Sequence, residues 1–324
     1  MPEALFWAFV FPILLAVVLG IAFRNREPQK VRVGVEIGDG ADSLVAALRT
    51  SADVTPVLLP GAQAERELRA GRVVLLVVAG NPVTYRYDAK RTESRIARLA
   101  TDDALQRAFG RRDARAVTDR RVTETGSRYI DFLIPGLIGM NLMGAGLWGV
   151  GFAVVQNRTR KLLKRLVASP MRRWHYLASY LVVRFALVPV ESGAIAAFGA
   201  WAFGVPVRGS MAALLGVALL GSFCFSSLGL LVASRAQTVE AVAGLMNVVM
   251  LPMWFLSGVF FSAANFPDVM QPFIKVLPLT ALADALRAIM IDGASIVSQG
   301  GELAIVALWG AVSFGVAVRI FRWL

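Results

Sequence analysis

Cysteine and histidine each occur once in this 324-residue sequence, as Cys224 and His175. Disulfide frameworks need paired cysteines, and thiolate or imidazole metal sites need clusters, so both are excluded. A lone histidine also removes most general acid–base chemistry. The phosphate loop GxxxxGK[ST] is absent. No strand–glycine loop–helix phosphate cradle is read elsewhere, so the chain holds no ATP in a P-loop. Acids are equally scarce where the chain is apolar, and Glu191 alone stands well inside an apolar run. A compact carboxylate set for chemistry on lipid-linked substrates is therefore missing. The net charge of +12 includes 20 of the 34 basic residues between Arg24 and Arg128, where 14 acids accompany them. That mixture is neither a continuous basic stripe nor a nucleic-acid-binding module, and no nucleic acid partner is expected.

Apolar residues are abundant instead: 56% of the chain is hydrophobic and the mean hydropathy is +0.61. Six runs approach the length a helix needs to cross a bilayer, about Leu5 to Phe23, Ile130 to Val155, Trp174 to Phe203, Met211 to Ala233, Val239 to Phe261 and Leu303 to Phe321. The expected fold class is an α-helical polytopic membrane protein with six transmembrane helices. Between the first two runs lies a polar insertion of about 105 residues, 24–128. In it VRVGVEI, VTPVLLP and RVVLLVVAG, the last followed by PVTYRYD, read as strands, DSLVAALR and AERELRAG as helices, and Thr92 to about Arg111 as a longer helix. The alternation predicts a small α/β domain.

The segment from Gln156 to Tyr176 carries seven Lys/Arg and no acid between two apolar runs. Within it Leu162, Leu163, Leu166 and Val167 recur at helical spacing while Lys161, Lys164 and Arg165 fall largely on other faces, and Ser169-Pro170 ends the pattern. An amphipathic helix over about 158–169 is expected, as a lipid anchor or as a docking site for a partner. With this loop inside, the short cytoplasmic segments hold ten basic residues (Arg158 to Arg173, Arg235, Arg319, Arg322) against three outside (Arg208, Lys275, Arg287). Both termini are then cytoplasmic and the α/β domain extracytoplasmic, although the arginines flanking that domain point the other way. The abrupt start MPEALFW, with only Glu3 before the first run, is read as a start codon placed downstream of the true one.

Isolated polar residues within the runs mark candidate sites. Glu191 is expected either to line a translocation path or to pair with Arg184, seven residues earlier on about the same face. Asn247 reads as interhelical glue or, less directly, as part of the path. Pro135 and the glycines at 136, 139, 144, 146, 149 and 151 permit close packing of the second run, within the chain or against a second copy. Pro189 and Pro252 mark kinks. Residues 262–290, interrupted by Pro267, Pro272 and Pro278, fit short re-entrant helices at the outer mouth. There Phe260, Phe261, Asp284 and Arg287 form a possible outer gate, or Asp284 and Arg287 merely a surface pair of little worth.

Three stretches, EALFWAFVFPILLAVVLG, RTRKLLKRLVASPMRRW and LPMWFLSGVFFSAANFPDVMQPFIKVLPLTALADALR, together resemble the permease subunits of type-2 ABC exporters, particularly those with a large extracytoplasmic domain between the first two helices. The resemblance covers the six-helix frame and reaches the inserted domain by position only. It implies a permease in the bacterial cytoplasmic (inner) membrane, paired with a second copy or a paralogue. A separate cytoplasmic ABC ATPase would hold ATP and magnesium, so this chain itself needs no cofactor and is no enzyme. The basic segment would be the coupling helix seated in an ATPase cleft. Leu162, Leu163 and Leu166 would fill that cleft, Lys161, Lys164 and Arg165 would meet acids at its rim, and Arg158 and Pro170 would bracket the helix. The exported substrate would be lipid-like, amphipathic or drug-like. A membrane receptor or envelope assembly factor, and less directly a membrane enzyme, are the rival readings.

Overall fold

The computed structural model describes residue 6 and residues 10–22, 30–112, 115, 118, 128–162 and 172–321, with Ala22 and Arg173 described by backbone alone. The chain divides into two compact units, Asn25–Arg121 and Met1–Arg24 with Val122–Leu324. Helix α1 is Phe11–Ala22, apolar throughout but only twelve residues long in its described part.

The Asn25–Arg121 unit runs β1 (Val31–Glu36), α2 (Ala41–Arg49), β2 (Val54–Leu59), α3 (Gly61–Arg69), β3 (Leu75–Val78), β4 (Thr84–Arg86) and α4 (Thr92–Ala108). The strands lie in the order β2-β1-β3-β4. β1 pairs in parallel with both β2 and β3, with Val33 opposite Pro56 and Leu75, and β4 closes the edge antiparallel to β3. Alternation along the strands sends Val33, Val35, Leu75 and Val77 to one face, where α2 contributes Leu44 and Leu48 and α4 contributes Ala97 and Leu105. Leu59, Val73 and Leu76 face the other way against Ala64 of α3. The Tyr85 hydroxyl donates to Asp102 of α4 at 3.1 Å. Burial, then the neighbouring carboxylate, push that phenol up to about 12, so it stays neutral and binds β4 to α4.

A strand–glycine loop–helix does exist, since β1 passes through Gly38-Asp39-Gly40 into α2 with Gly40 at a φ of +84°. Its central residue is an acid, which opposes rather than cradles a phosphate.

In the second unit α5 spans Tyr129–Thr159, with a π-helical stretch at Ala145–Val150. It is followed by α6 (Arg173–Phe203), α7 (Met211–Ala233), α8 (Val239–Leu256), α9 (Gln271–Val276), α10 (Pro278–Met290) and α11 (Gly300–Ile320). Among the described residues, five helical segments are long and apolar enough to cross a membrane: α5, α6, α7, α8 and Ile296–Ile320. The central pair is α5 and α7, whose apolar windows are 67% and 61% buried against 22% for α8. The chain is thus a polytopic helical membrane protein with a small sheet domain.

Glycine explains why α5 and α7 sit so close. A β-carbon on Gly146 would lie 2.8 Å from Phe225 Cβ and 2.9 Å from its carbonyl carbon, and one on Gly229 would lie 2.9 Å from the Gly146 oxygen. Small residues let the backbones touch. Packing within the chain is therefore what part of the glycine stripe does. Gly144 and Gly149 meet nothing within 4 Å. Gly146→Val is accordingly expected to cost about 1–3 kcal/mol through overpacking, and Gly144→Ala to be neutral. Thermal unfolding in detergent read by size exclusion checks the pair. Equal behaviour of the two variants contradicts the seam.

Candidate functional site

The apolar frame is tied together by polar side chains at three levels, and they include several of the residues singled out from sequence. At the base of the basic loop, α5 runs helically through Arg158 and Thr159. Lys161 then takes a left-handed conformation at φ 58°, which a non-glycine residue adopts at a cost and which ends the helix. The start expected for the coupling helix is corrected accordingly: Arg158 belongs to the end of the span. Its Nη1 donates to the carbonyls of Ala233 at 3.0 Å and of Ala236, its Nη2 to that of Ser234 at 3.3 Å, and the guanidinium lies 5.5 Å from the Phe321 ring. The final carbonyls of a helix lack intrahelical donors and carry partial negative charge, so a guanidinium fork suits this position. Arg158 thereby joins α5 to the ends of α7 and α11.

The other root of the loop is fastened too. Asn157 Nδ2 donates to the Tyr180 hydroxyl at 2.6 Å, and the Tyr176 and Tyr180 hydroxyls lie 2.9 Å apart. The tyrosines stand on the first two turns of α6, so the last turn of α5 and the start of α6 are bonded directly. Lys161 and Leu162 are exposed at the mouth of the loop. Leu163, Lys164, Arg165, Leu166 and Pro170 lie outside the described residues.

Within α6, Arg184 and Glu191 form a two-pronged ion pair, Nη1–Oε1 at 2.7 Å and Nη2–Oε2 at 2.5 Å. Asn141 of α5 donates to the same carboxylate at 3.4 Å. Arg184 is 6% exposed and Glu191 2%. Glu191 is thus turned toward α5 and its own helix. Asn247 takes no part in this cluster and is exposed on α8 beside Val248 and Leu251. Buried hydroxyls of α6 and α7, among them Ser192, Ser226 and Ser227, find no hydrogen-bond partner among the described residues.

At the opposite end Arg287 of α10 reaches across three segments. Nη2 donates to the Gly258 carbonyl at 2.6 Å, Nε to the Phe132 carbonyl at 3.3 Å, and Nη1 meets Asp284 at 3.0 Å. The guanidinium carbon lies 3.7 Å from the Phe132 ring centroid. Gly136 makes room, since a β-carbon there would sit 3.2 Å from Arg287 Nη2. With its side chain 12% exposed against 53% for Asp284, Arg287 is an internal brace and the bland surface-pair reading does not hold for it. Tyr129 bonds the Phe260 carbonyl at 3.1 Å, whereas Phe261 points outward, 64% exposed. Short helical turns at Ala263–Asn265 and Asp268–Met270, then α9 and α10, replace a continuous span between these residues.

Sequence reasoning missed the Arg158 and Asn157–Tyr180 ties and the π-helical stretch. A signal existed for the first, because Arg158 lies one helical turn after the buried Val154 and so on a covered face. For Arg287 the signal was its place within the buried stripe of Leu279, Ala283, Leu286 and Met290.

Residues 2–319 match the family described as ABC-2 family transporter protein. The chain is 24% identical over 191 residues to the probable multidrug ABC transporter permease YbhR of Escherichia coli, covering 59% of this chain and 52% of that one. It is 24% identical over 201 residues to nodulation protein J of Rhizobium meliloti, 61% of this chain and 75% of the relative. Over 200 residues it is 22% identical to the linearmycin resistance permease protein LnrN of Bacillus subtilis, 62% and 50%. The chain thus spans about half the length of two of these curated relatives. With nearly its whole length matched, the chain belongs to the ABC-2 family of transporter proteins.

Proposed function

We propose that this chain is the permease subunit of an ATP-driven exporter, with α1 and the five longer helices forming the translocation unit, the sheet domain outside and both termini inside. It works in the bacterial inner membrane beside a second copy or a paralogue. A cytoplasmic ATPase supplies ATP and magnesium chemistry, and the basic loop is where that ATPase docks. The observation that carries the reading is the fastening of both loop roots, Arg158 to the ends of α7 and α11 and Asn157 to Tyr180 of α6. A displacement of the loop is then delivered to four spans at once, through contacts rather than through a slack connection. Leu162, Leu163 and Leu166 fill the ATPase cleft, with Lys161, Lys164 and Arg165 at its rim. Phe260, Phe261 and the Asp284–Arg287 pair border the exit. Relatives named for multidrug transport and linearmycin resistance support an amphipathic, lipid-like or drug-like cargo.

The test is co-purification with the ATPase and substrate-stimulated hydrolysis in liposomes. Leu163→Asp with Leu166→Asp is expected to lose the complex and at least about tenfold of transport, since two charges enter an apolar contact. Tyr176→Phe with Tyr180→Phe is expected to keep the complex and uncouple it, hydrolysis persisting while transport falls several-fold. An intact, transporting complex after the leucine changes refutes the docking assignment.

A further inference from the structure

We propose that one pole of the sheet domain is a docking face for anionic phospholipid headgroups. Where β1 and β3 begin, Lys30, Arg32, Arg72, Glu93 and Ile96 line a single open depression. The Arg91 guanidinium borders it, within 3.3 Å of where a Gly71 β-carbon would stand. Arg72 is held by Glu67 at 2.7 Å. Lys30, Arg32, Arg91 and Arg95 are exposed, and none of their side chains has an ion-pair or hydrogen-bond partner among the described residues. Glu93 is the one carboxylate lining the depression, and Glu67, bonded to Arg72, also acts on Arg32; with Lys30, Arg91 and Arg95 beside them, cations still prevail there. At the opposite pole, where β1 ends, Glu36, Asp39 and Asp42 gather instead.

Two aliphatic side chains accompany the cations. Ile96 is 56% exposed and Leu99 63% exposed, one turn apart on the outer face of α4. Free cations beside exposed aliphatics match the headgroup and upper acyl region of a bilayer, which takes both. Connectivity favours lipid over any diffusing partner, because only eight residues separate Ala22 of the apolar α1 from Val31. Headgroups are consequently always within reach of this pole.

The full chain carrying Cys224→Ala and Ile96→Cys is labelled with an environment-sensitive fluorophore and placed in nanodiscs containing headgroup-spin-labelled lipid. Quenching is expected to rise about twofold or more when phosphatidylglycerol replaces part of the phosphatidylcholine, and to vanish near 1 M salt, where screening shortens to about 3 Å. It is also expected to vanish in Lys30→Glu/Arg32→Glu/Arg91→Glu, whose β3 amides keep their exchange protection. A label at Asp42→Cys, on the acidic pole, stays unquenched. Equal quenching in both lipid mixtures or at both poles overturns the proposal, as does a signal appearing only when a second protein is added. So does a signal in detergent that glycerol phosphate alone reproduces, which marks a small-anion pocket.

Discussion

Glu191→Leu alone is expected to destabilise the membrane unit by about 3–5 kcal/mol, whereas Glu191→Leu together with Arg184→Met returns close to the parent. The single change leaves a guanidinium with no counter-ion, 6% exposed in an apolar helix, and arginine does not shed its proton. Asn141, a weak donor to the carboxylate at 3.4 Å, cannot accept that charge's place in full. The double change removes both charges and fills the space with aliphatic chains of similar bulk. Thermal unfolding in detergent measures stability, and transport in liposomes is read alongside. If the double variant folds and transports, the pair is a brace. If it folds and fails to transport while Glu191→Gln also fails, the carboxylate serves the path. A double variant as unstable as the single contradicts the ion-pair account itself.

Arg287→Leu is expected to cost about 2–4 kcal/mol, from charge-assisted bonds to two carbonyls and the stacking on Phe132. Removal strands the Gly258 oxygen and takes the second donor from the Phe132 oxygen, between α5, α10 and the turn after α8. Arg287→Lys is expected to recover little, because an ammonium lacks the planar fork that reaches both carbonyls while lying on a ring. Asp284→Asn is expected to cost no more than about 1 kcal/mol, its carboxylate being half exposed. The same thermal assay ranks the three. Full rescue by lysine, or an Asp284 effect as large as that of Arg287, is incompatible with a brace centred on the carbonyls.

The elements visible in the sequence are those governed by local chemistry. Five apolar runs became helices because length and hydropathy suffice to define them, and VRVGVEI, VTPVLLP and the two short helices of the sheet domain followed from period and turn residues. α4 stops at Ala108 rather than near Arg111, since Gly110 takes a φ of +97°. The described helix of the first run is Phe11–Ala22, and apart from Phe6 and Val10 the rest of the expected Leu5 to Phe23 lies outside the described residues. Side-chain direction was far less legible. Charge alone groups Arg158 with the basic loop, although tertiary contacts decide whether a cation at a helix end faces water or another helix's carbonyls. The π-helical stretch at Ala145–Val150 has no local signature beyond small residues, and it lies where α7 comes closest, at Gly146. Glu191 and Arg184 were legible as a pair, since seven residues make about two turns and bring both to one face.

That spacing has a consequence for how the protein is made. An ionised side chain near the middle of an entering segment opposes partition from the translocon into lipid by about 2.5–3.5 kcal/mol on insertion scales. Because Arg184 and Glu191 sit on one helix and bond to each other, α6 carries its counter-ion with it. It can leave the translocon electrically neutral at its centre, before α5 or any other neighbour has packed against it.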